Sequence, residues 1–477
     1  MRSTRLPKVM QAFAGRSLLA HVLAAVEPIG AADVAVVIGH RRDEVREHLA
    51  AIAPAATPVV QERQLGTGHA VRVALEALRP LPADEAGTVV VVPGDAPLLR
   101  PATLAALVDG HRGSGASATM LTSIVDDPTG YGRVIRSDDG AVERIVEHKD
   151  ATPGELAVNE VSALVYAFDE ALLREALGAL STDNAQGEEY LPDVVAAFVR
   201  DHRAVVAVTA PADETAGIND RAQLAHARRV FNDRLLADHM RNGVTVVDPA
   251  TAWVDCDVAI EPDATLETNV QLRGATRVGA GSVIGPDTTL TDTTVGFDSV
   301  LHRTVANQAV IGDGVTVGPF AYLRPGTVLA DQVHVGTYVE IKGSDVGLGT
   351  KVPHLTYVGD ASIGAGTNIG AATVFVNYDG VAKHRTTIGD HARTGADNMF
   401  VAPVSVGDGA YTAAGSIISQ DVPPGALGVA RARQRNIAGW VLRRRPGSQA
   451  AEAAAAAGAT ADAEPTDDAA GASQAAN

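Results

Sequence analysis

Cysteine is almost missing: Cys256 is the only one in 477 residues. One thiol cannot close an internal disulfide, so a reducing cytoplasm is the expected compartment. Asp255 and Asp257 flank it, and neighbouring carboxylates disfavour a thiolate, so it reads as an inert packing residue rather than a nucleophile. Basic residues are also in deficit, 39 against 57 acidic ones, for a formal charge of -18. That balance excludes a broad nucleic-acid or anionic-membrane surface. Any phosphate ligand must be held by a few locally placed cations. Membrane insertion is not expected, because no apolar run approaches the roughly 18 residues that a span needs. Ser17 to Val26 resembles a signal-peptide core, but Arg16 and His21 interrupt it and Leu18, Leu19, Val22, Leu23 and Val26 recur at helical spacing. It reads as a core-facing amphipathic helix. Finally, the chain opens MRSTRLPKVM, with no apolar strand ahead of Lys8.

What is present falls into two grammars. Up to about residue 215, β-rich runs (34–38, 88–92, 161–168) alternate with helical patterns (43–52, 68–78, 101–109, 169–178). Continuous apolar strands between helices imply an α/β domain with a mostly parallel sheet covered on both faces. A longer helical pattern, Asn219 to Met240, stops at Asn242-Gly243 and reads as a connector. Then apolar residues recur every six positions: Ile311, Val317, Leu323, Leu329, Val335, Ile341, and again Ile388, Thr394, Phe400, Val406, Thr412, Ile418. A period of six fits neither helix nor hairpin sheet. It fits a parallel β-helix with three hexapeptides per coil, and weaker repeats reach back to about Ala250. The expected divisions are therefore 1–218, a linker helix 219–243, a β-helix 244–445, and an Ala-rich tail 446–477. Lacking aromatics and an apolar stripe, that tail is expected to be disordered, with the AEAAAAA run as its one helical candidate.

Inward side chains of such a prism are buried, so chemistry is sought where the repeat is interrupted. The stretch from Gly343 to Tyr378 reads as that interruption. It holds His354 in a His-Leu-Thr-Tyr cluster after a proline, with Arg324 and Lys342 upstream and Lys383 downstream. An imidazole titrates near neutrality and suits base catalysis, although a lone histidine is more often structural. Three cations could grip a phosphate by charge-assisted bonds, although each alone is more often a solvated charge. In the first half, Asp95 follows strand 88–92, where ligands sit in open α/β sheets. Gly66-Thr67-Gly68 opens a helix whose amides could face a base or phosphate.

The motifs LRPG (323–326), VGTYVEIK (335–342), HLTYVGD (354–360), TNIGA (367–371) and VNYDG (376–380) together resemble the bacterial bifunctional N-acetylglucosamine-1-phosphate uridyltransferase / glucosamine-1-phosphate N-acetyltransferase family. QLGTGH (64–69), TGYGR (129–133), EHKD (147–150), NAQGE (184–188) and GIND (217–220) extend the resemblance to the first half. The fold implied is a Rossmann-like nucleotidyltransferase domain followed by a left-handed β-helix that assembles as a homotrimer. The resemblance implies that His354 takes the proton from the sugar's 2-amino group as it attacks acetyl-CoA directly. Arg324, Lys342 and Lys383 would then bind the sugar phosphate, and Tyr357 and Asn368 the sugar. Ala371, Asn377, Tyr378, Ala396, Ala414 and Arg431 would line the acetyl-CoA cleft; Ala396 stands where the family usually has Ser. In the first domain it implies Mg²⁺ on Asp95 and Asn219, Lys8 on the phosphates, and Gln61, Gly66 and Thr67 on uracil. Gly94, Gly132 and Glu147 would contact amino sugar and nucleotide. UTP and N-acetylglucosamine 1-phosphate would yield UDP-N-acetylglucosamine, a cell-wall precursor, and pyrophosphate.

Two departures accompany the resemblance. The family carries a strand and a Gly-rich phosphate loop before the position of Met1, and Val161-Ser162-Ala163-Leu164 stands where the family has Asn-Thr-Gly after an apolar residue. Ser162 replaces a sugar-binding Asn and Leu164 a Gly, which would crowd the pocket. Two readings are open: a start assigned too far downstream, or a chain that retains acetyl transfer alone.

Overall fold

The computed structural model describes residues 1, 3, 5–78 and 87–461. It divides into two compact units, Met1–Arg234 and Leu235–Asn477.

In the first unit, besides a two-residue antiparallel pair, Ala12–Phe13 with Arg16–Ser17, the strands are β1 (Ala35–Ile38), β2 (Thr57–Val60), β3 (Thr88–Val91), β4 (Ala118–Ile124), β5 (Arg133–Arg136), β6 (Val142–Val146), β7 (Glu160–Asp169) and β8 (Val205–Thr209). Helices α1 (Leu18–Val26), α2 (Arg42–Ile52), α3 (Thr67–Ala77), α4 (Pro101–Ser114), α5 (Glu170–Leu177) and α6 (Pro192–Arg200) cover them. The expected amphipathic segment is α1: Ser17 caps it by accepting from the Ala20 amide, and it buries Leu18, Leu19, His21, Val22 and Ala25. His21 does not face solvent; it stacks on Phe13 at 4.4 Å and meets the Phe13 carbonyl at 3.0 Å.

The expectation of a mostly parallel sheet needs correction. β8 pairs β4 in parallel, but β7 runs antiparallel to both β3 and β4, and β5 and β6 form an antiparallel pair beside it. A strand buried on both faces reads as an apolar run whichever way it points, so direction is invisible in composition. The β1–β2 pair is parallel and stands as its own two-stranded sheet. β1 and β3 each present one edge with no strand partner among the described residues.

Helix α7 (Arg221–Arg241) spans the boundary between the units. From Thr245 onward the second unit is a left-handed β-helix built of three parallel sheets of seven, ten and nine strands. Thr265 pairs with Val283 and Leu266 with Ile284, so three hexapeptides carry the chain through one coil and back into register. Every residue of the six-spaced series from Ile311 to Ile341 and from Ile388 to Ile418 is buried. Burying a Val, Leu or Ile side chain contributes about 1.5–3 kcal/mol, and one continuous core from Leu236 to Val422 collects all of the series except Thr394 and Thr412.

The interruption sits later than the sequence suggests. Coils through 343–363 stay in register, with Val346 pairing to Ile363 after an ordinary turn of the prism. The excess lies between Ile363 and Ile388, which pair directly although the chain between them is overlong for one coil. The expected disorder of 446–477 is also corrected in part. Helix α8 (Trp440–Arg444) is followed by α9 (Gln449–Ala456), with Ser448 capping α9 and Ala451 buried. Alanine has the strongest intrinsic helix preference, which with a cap offsets the ordering entropy here. Residues 462–477 lie outside the described set.

Two candidate active sites

In the β-helix, the chain leaves strand Lys351–His354 of the seven-stranded sheet through Leu355 and Thr356. It then enters Tyr357–Gly359 of the ten-stranded sheet. Leu355 adopts a left-handed φ of 51°, which turns the corner and leaves His354 exposed beside it. The His354 carbonyl accepts from Thr356 Oγ1 at 2.7 Å and from the Ala372 amide at 3.1 Å, so its backbone is fixed while its ring stays open to solvent.

At the far ends of the same ten strands, parallel register stacks Arg324, Lys342 and Gly359, one per coil. Arg324 donates to Glu340 at 2.8 Å, which raises its pKa. Lys342 Nζ meets both Asp360 oxygens at 3.0 and 3.2 Å, which raises the Lys342 pKa. Lys383 reaches the same place from the loop after Tyr378. Its pKa is lowered, first by its contact with the Lys342 ammonium. Burial pushes the Asp360 carboxyl up, but hydrogen bonds from Lys342 and Asn377 outweigh it and hold it below the usual carboxylate range. Asn377 Nδ2 donates to Asp360 at 2.6 Å and lies 3.5 Å from the Tyr357 hydroxyl. Gly359 is required here: a Cβ would lie 2.5 Å from that hydroxyl and 2.6 Å from Asn377 Nδ2.

Arg324, Lys342, Lys383, Tyr357 and Asn377 thus share one neighbourhood. Asn368 lies on a neighbouring row, bridged to Lys351 and Arg393. Ala371, Ala396 and Ala414 form a column on successive coils, where the Ala371 carbonyl accepts from Asp397 and the Ala396 carbonyl from Gly415. The methyl of Ala396 changes nothing in that main-chain pattern. Tyr378 is exposed on the loop, and Arg431 is exposed beyond the last strand, Leu427–Gly428. Within one chain, His354 is joined to the cations through the strand that carries Tyr357 rather than by a side-chain bond. Sequence reasoning misses Asp360 and Glu340. A signal for Asp360 exists, since it follows Lys342 by one coil and so lands beside it.

In the first unit, Lys8, Asp95 and Asn219 converge. Lys8 Nζ pairs with the Asp95 carboxylate and donates to Asn219 Oδ1 at 2.6 Å. The Ile218 amide donates to the Asp95 carbonyl at 3.0 Å, tying the two segments together. Two hard oxygen donors around one cation fit Mg²⁺, which takes one or two protein oxygens and fills the rest of its shell from phosphates and water. Tyr131 lies near; burial and then Asp95 raise its pKa. A Cβ at Gly94 would make ordinary contact with Val9 and Leu19.

The loop around Gly66 and Thr67 is braced from a distance. Gln61 Nε2 donates to the Gly66 carbonyl at 3.1 Å and meets His69 Nδ1 at 2.8 Å. Gly66 has φ 107°, and a Cβ there would meet the Glu189 carbonyl at 2.5 Å; only glycine fits. Gly68 donates to the Glu189 carbonyl, Glu189 donates to the Leu65 carbonyl, and Thr67 Oγ1 accepts from the Leu191 amide. Arg72 grips the Glu189 carboxylate at 2.8 and 2.9 Å, a brace the sequence does not signal. Glu147 lies beside Gly132; burial, then Asp150 and Asp193, raise its pKa.

Ser162 donates its amide to the Gly132 carbonyl and bonds the Tyr166 hydroxyl at 2.9 Å. Leu164 sits in a bulge opposite Met120–Thr122 with φ 56° and is 37% exposed. A left-handed leucine costs about 1–2 kcal/mol, which explains why glycine suits the position. Leu164→Gly should raise the calorimetric unfolding midpoint of this unit by about 2–4 °C; a fall would show that packing outweighs the strain.

Residues 1–132 match the MobA-like NTP transferase domain and residues 308–343 the bacterial transferase hexapeptide (six repeats). The relative named bifunctional protein GlmU from Thermobifida fusca is 57% identical over 455 residues, covering 95% of this chain and 94% of that protein. Those of Streptomyces avermitilis and Streptomyces coelicolor are 56% and 55% identical, covering 94% and 96% of this chain and 93% and 95% of theirs. The chain belongs to the bifunctional GlmU family. Along the chain the nucleotidyltransferase match precedes the hexapeptide match. Among the described residues no helix is long and apolar enough to cross a membrane.

Proposed function

We propose how the acetyl- and uridylyltransferase activities of this bifunctional enzyme divide over the chain. Residues 244–445 acetylate glucosamine 1-phosphate from acetyl-CoA, and residues 1–218 join the product to UTP. The observation that carries the first assignment is the stacking of Arg324 and Lys342 on successive coils, each against one acid, Glu340 and Asp360, with Lys383 close enough for the Lys342 charge to lower its pKa. Two ammoniums forced together are stabilised by a dianion, and a sugar phosphate supplies one. Tyr357 and Asn368 orient the ring. His354 accepts the amine proton as nitrogen attacks the thioester carbon and CoA thiolate leaves. The Ala371–Ala396–Ala414 column, Asn377, Tyr378 and Arg431 receive the cofactor's arm.

In the first unit Lys8 neutralises phosphate charge as the sugar phosphate displaces pyrophosphate from UTP. Asp95 and Asn219 hold Mg²⁺, which supplies charge stabilisation to the reacting phosphates when bound. Gln61, Gly66 and Thr67 receive the uracil, while Gly94, Gly132 and Glu147 face the sugar and nucleotide.

We assign a cytoplasmic homotrimer. Hexapeptide repeats fit trimer formation, and the outward row of the ten-stranded sheet exposes Val305, Tyr322, Met399 and Ile417 in the single chain. The phosphate assignment is tested by Lys342→Ala, which should raise KM for glucosamine 1-phosphate by about tenfold or more, the loss of one charge-assisted bond. An unchanged KM in steady-state assays removes it.

A further inference from the structure

The coil that brings Ile363 to its partner Ile388 is overlong, and part of the excess forms a loop over 377–385. Asn377, Tyr378 and Lys383 all sit on it. Hydrophobic packing does not shape its tip: Tyr378, Val381 and Ala382 are exposed, Val381 by 91%. The loop is held by polar bonds centred on one carboxylate. Asp379 Oδ1 accepts from the Val381 amide at 2.8 Å and the Ala382 amide at 2.7 Å, while Oδ2 meets His384 Nε2 at 2.7 Å. The His384 amide donates to the Asn377 carbonyl at 2.8 Å, closing the base of the loop. The same amide bonds and His384 lower the Asp379 pKa, so the carboxylate stays charged.

This loop works against a load. Lys383 faces Lys342, with Arg324 adding to the repulsion and Asp360, already paired with Lys342, offsetting part of it. Without a bound anion, like charges push the loop outward. We infer that Asp379 and His384 form a clasp that holds Lys383 in place against Lys342, making them positioning residues for sugar-phosphate recognition. The inference rests on the reading of Lys342 and Lys383 as the phosphate site. Because bound phosphate itself relieves the repulsion, the clasp matters most in the free enzyme, and its loss acts on KM rather than kcat.

The test compares His384→Phe, His384→Gln and Lys383→Ala in the full chain, with glucosamine 1-phosphate varied at saturating acetyl-CoA. His384→Phe should raise KM about tenfold, the worth of a charge-assisted bond, with kcat within about twofold. His384→Gln restores a donor to Asp379 and should recover most of the loss. Hydrogen exchange in 377–385 should rise in His384→Phe and fall again when inorganic phosphate is added. If Lys383→Ala raises KM and His384→Phe does not, the clasp is overturned while the phosphate site stands. If Lys383→Ala itself leaves KM unchanged, the underlying reading fails. A His384→Phe loss in kcat and thermal midpoint, unrescued by His384→Gln, also overturns the clasp, because it marks a purely structural role.

Discussion

Replacing His354 by alanine should lower kcat for acetyl transfer at pH 7.5 by about 10²–10⁴-fold, the usual worth of a positioned general base. Uridylyl transfer by the same preparation should be unchanged. The size follows from the chemistry. An ammonium cannot attack a thioester, so the amine must lose its proton to a nearby group. His354 is suited to this because its backbone is fixed by Thr356 and Ala372 while its ring is exposed. For the same reason the substitution should leave the unfolding midpoint within about 1 °C, as an exposed side chain removes little packing. Turnover that survives in His354→Ala would remove the proposed base.

Asp95→Ala should abolish uridylyl transfer to on the order of 10³-fold below the parent and leave acetyl transfer intact. Asp95 touches Lys8, and Lys8 touches Asn219, so one substitution removes the proposed metal oxygen and frees the ammonium proposed to meet the phosphates. In the parent, turnover should rise with added Mg²⁺ and vanish with a chelator. In Asp95→Ala, added Mg²⁺ should restore little. Equal Mg²⁺ response in both would place the ion elsewhere.

Some of this is legible in the residues. A six-residue period is written locally, and each inward position of the two series between Ile311 and Ile418 lands in the core. Lys342, Tyr357 and Asn377 stand in the shared motifs and do come together. Strand direction is not legible, because β7 is apolar on both faces whichever way it runs. Sequence alone misplaces the loop at 377–385, because hexads weakened by polar residues before it still pair in register. Arg72 and Glu189 lie 117 residues apart, and no periodicity announces a brace of that span. Leu164 stands out as unusual in the sequence, but its left-handed backbone emerges only where β7 bulges against β4.

One assay bears on the whole account: this chain with glucosamine 1-phosphate, acetyl-CoA, UTP and Mg²⁺, its products separated and weighed by mass spectrometry. Both steps running on one polypeptide predict UDP-N-acetylglucosamine, CoA and pyrophosphate. Omitting acetyl-CoA should stop that product from glucosamine 1-phosphate but not from N-acetylglucosamine 1-phosphate. Accumulation of N-acetylglucosamine 1-phosphate with no UDP-sugar would contradict it.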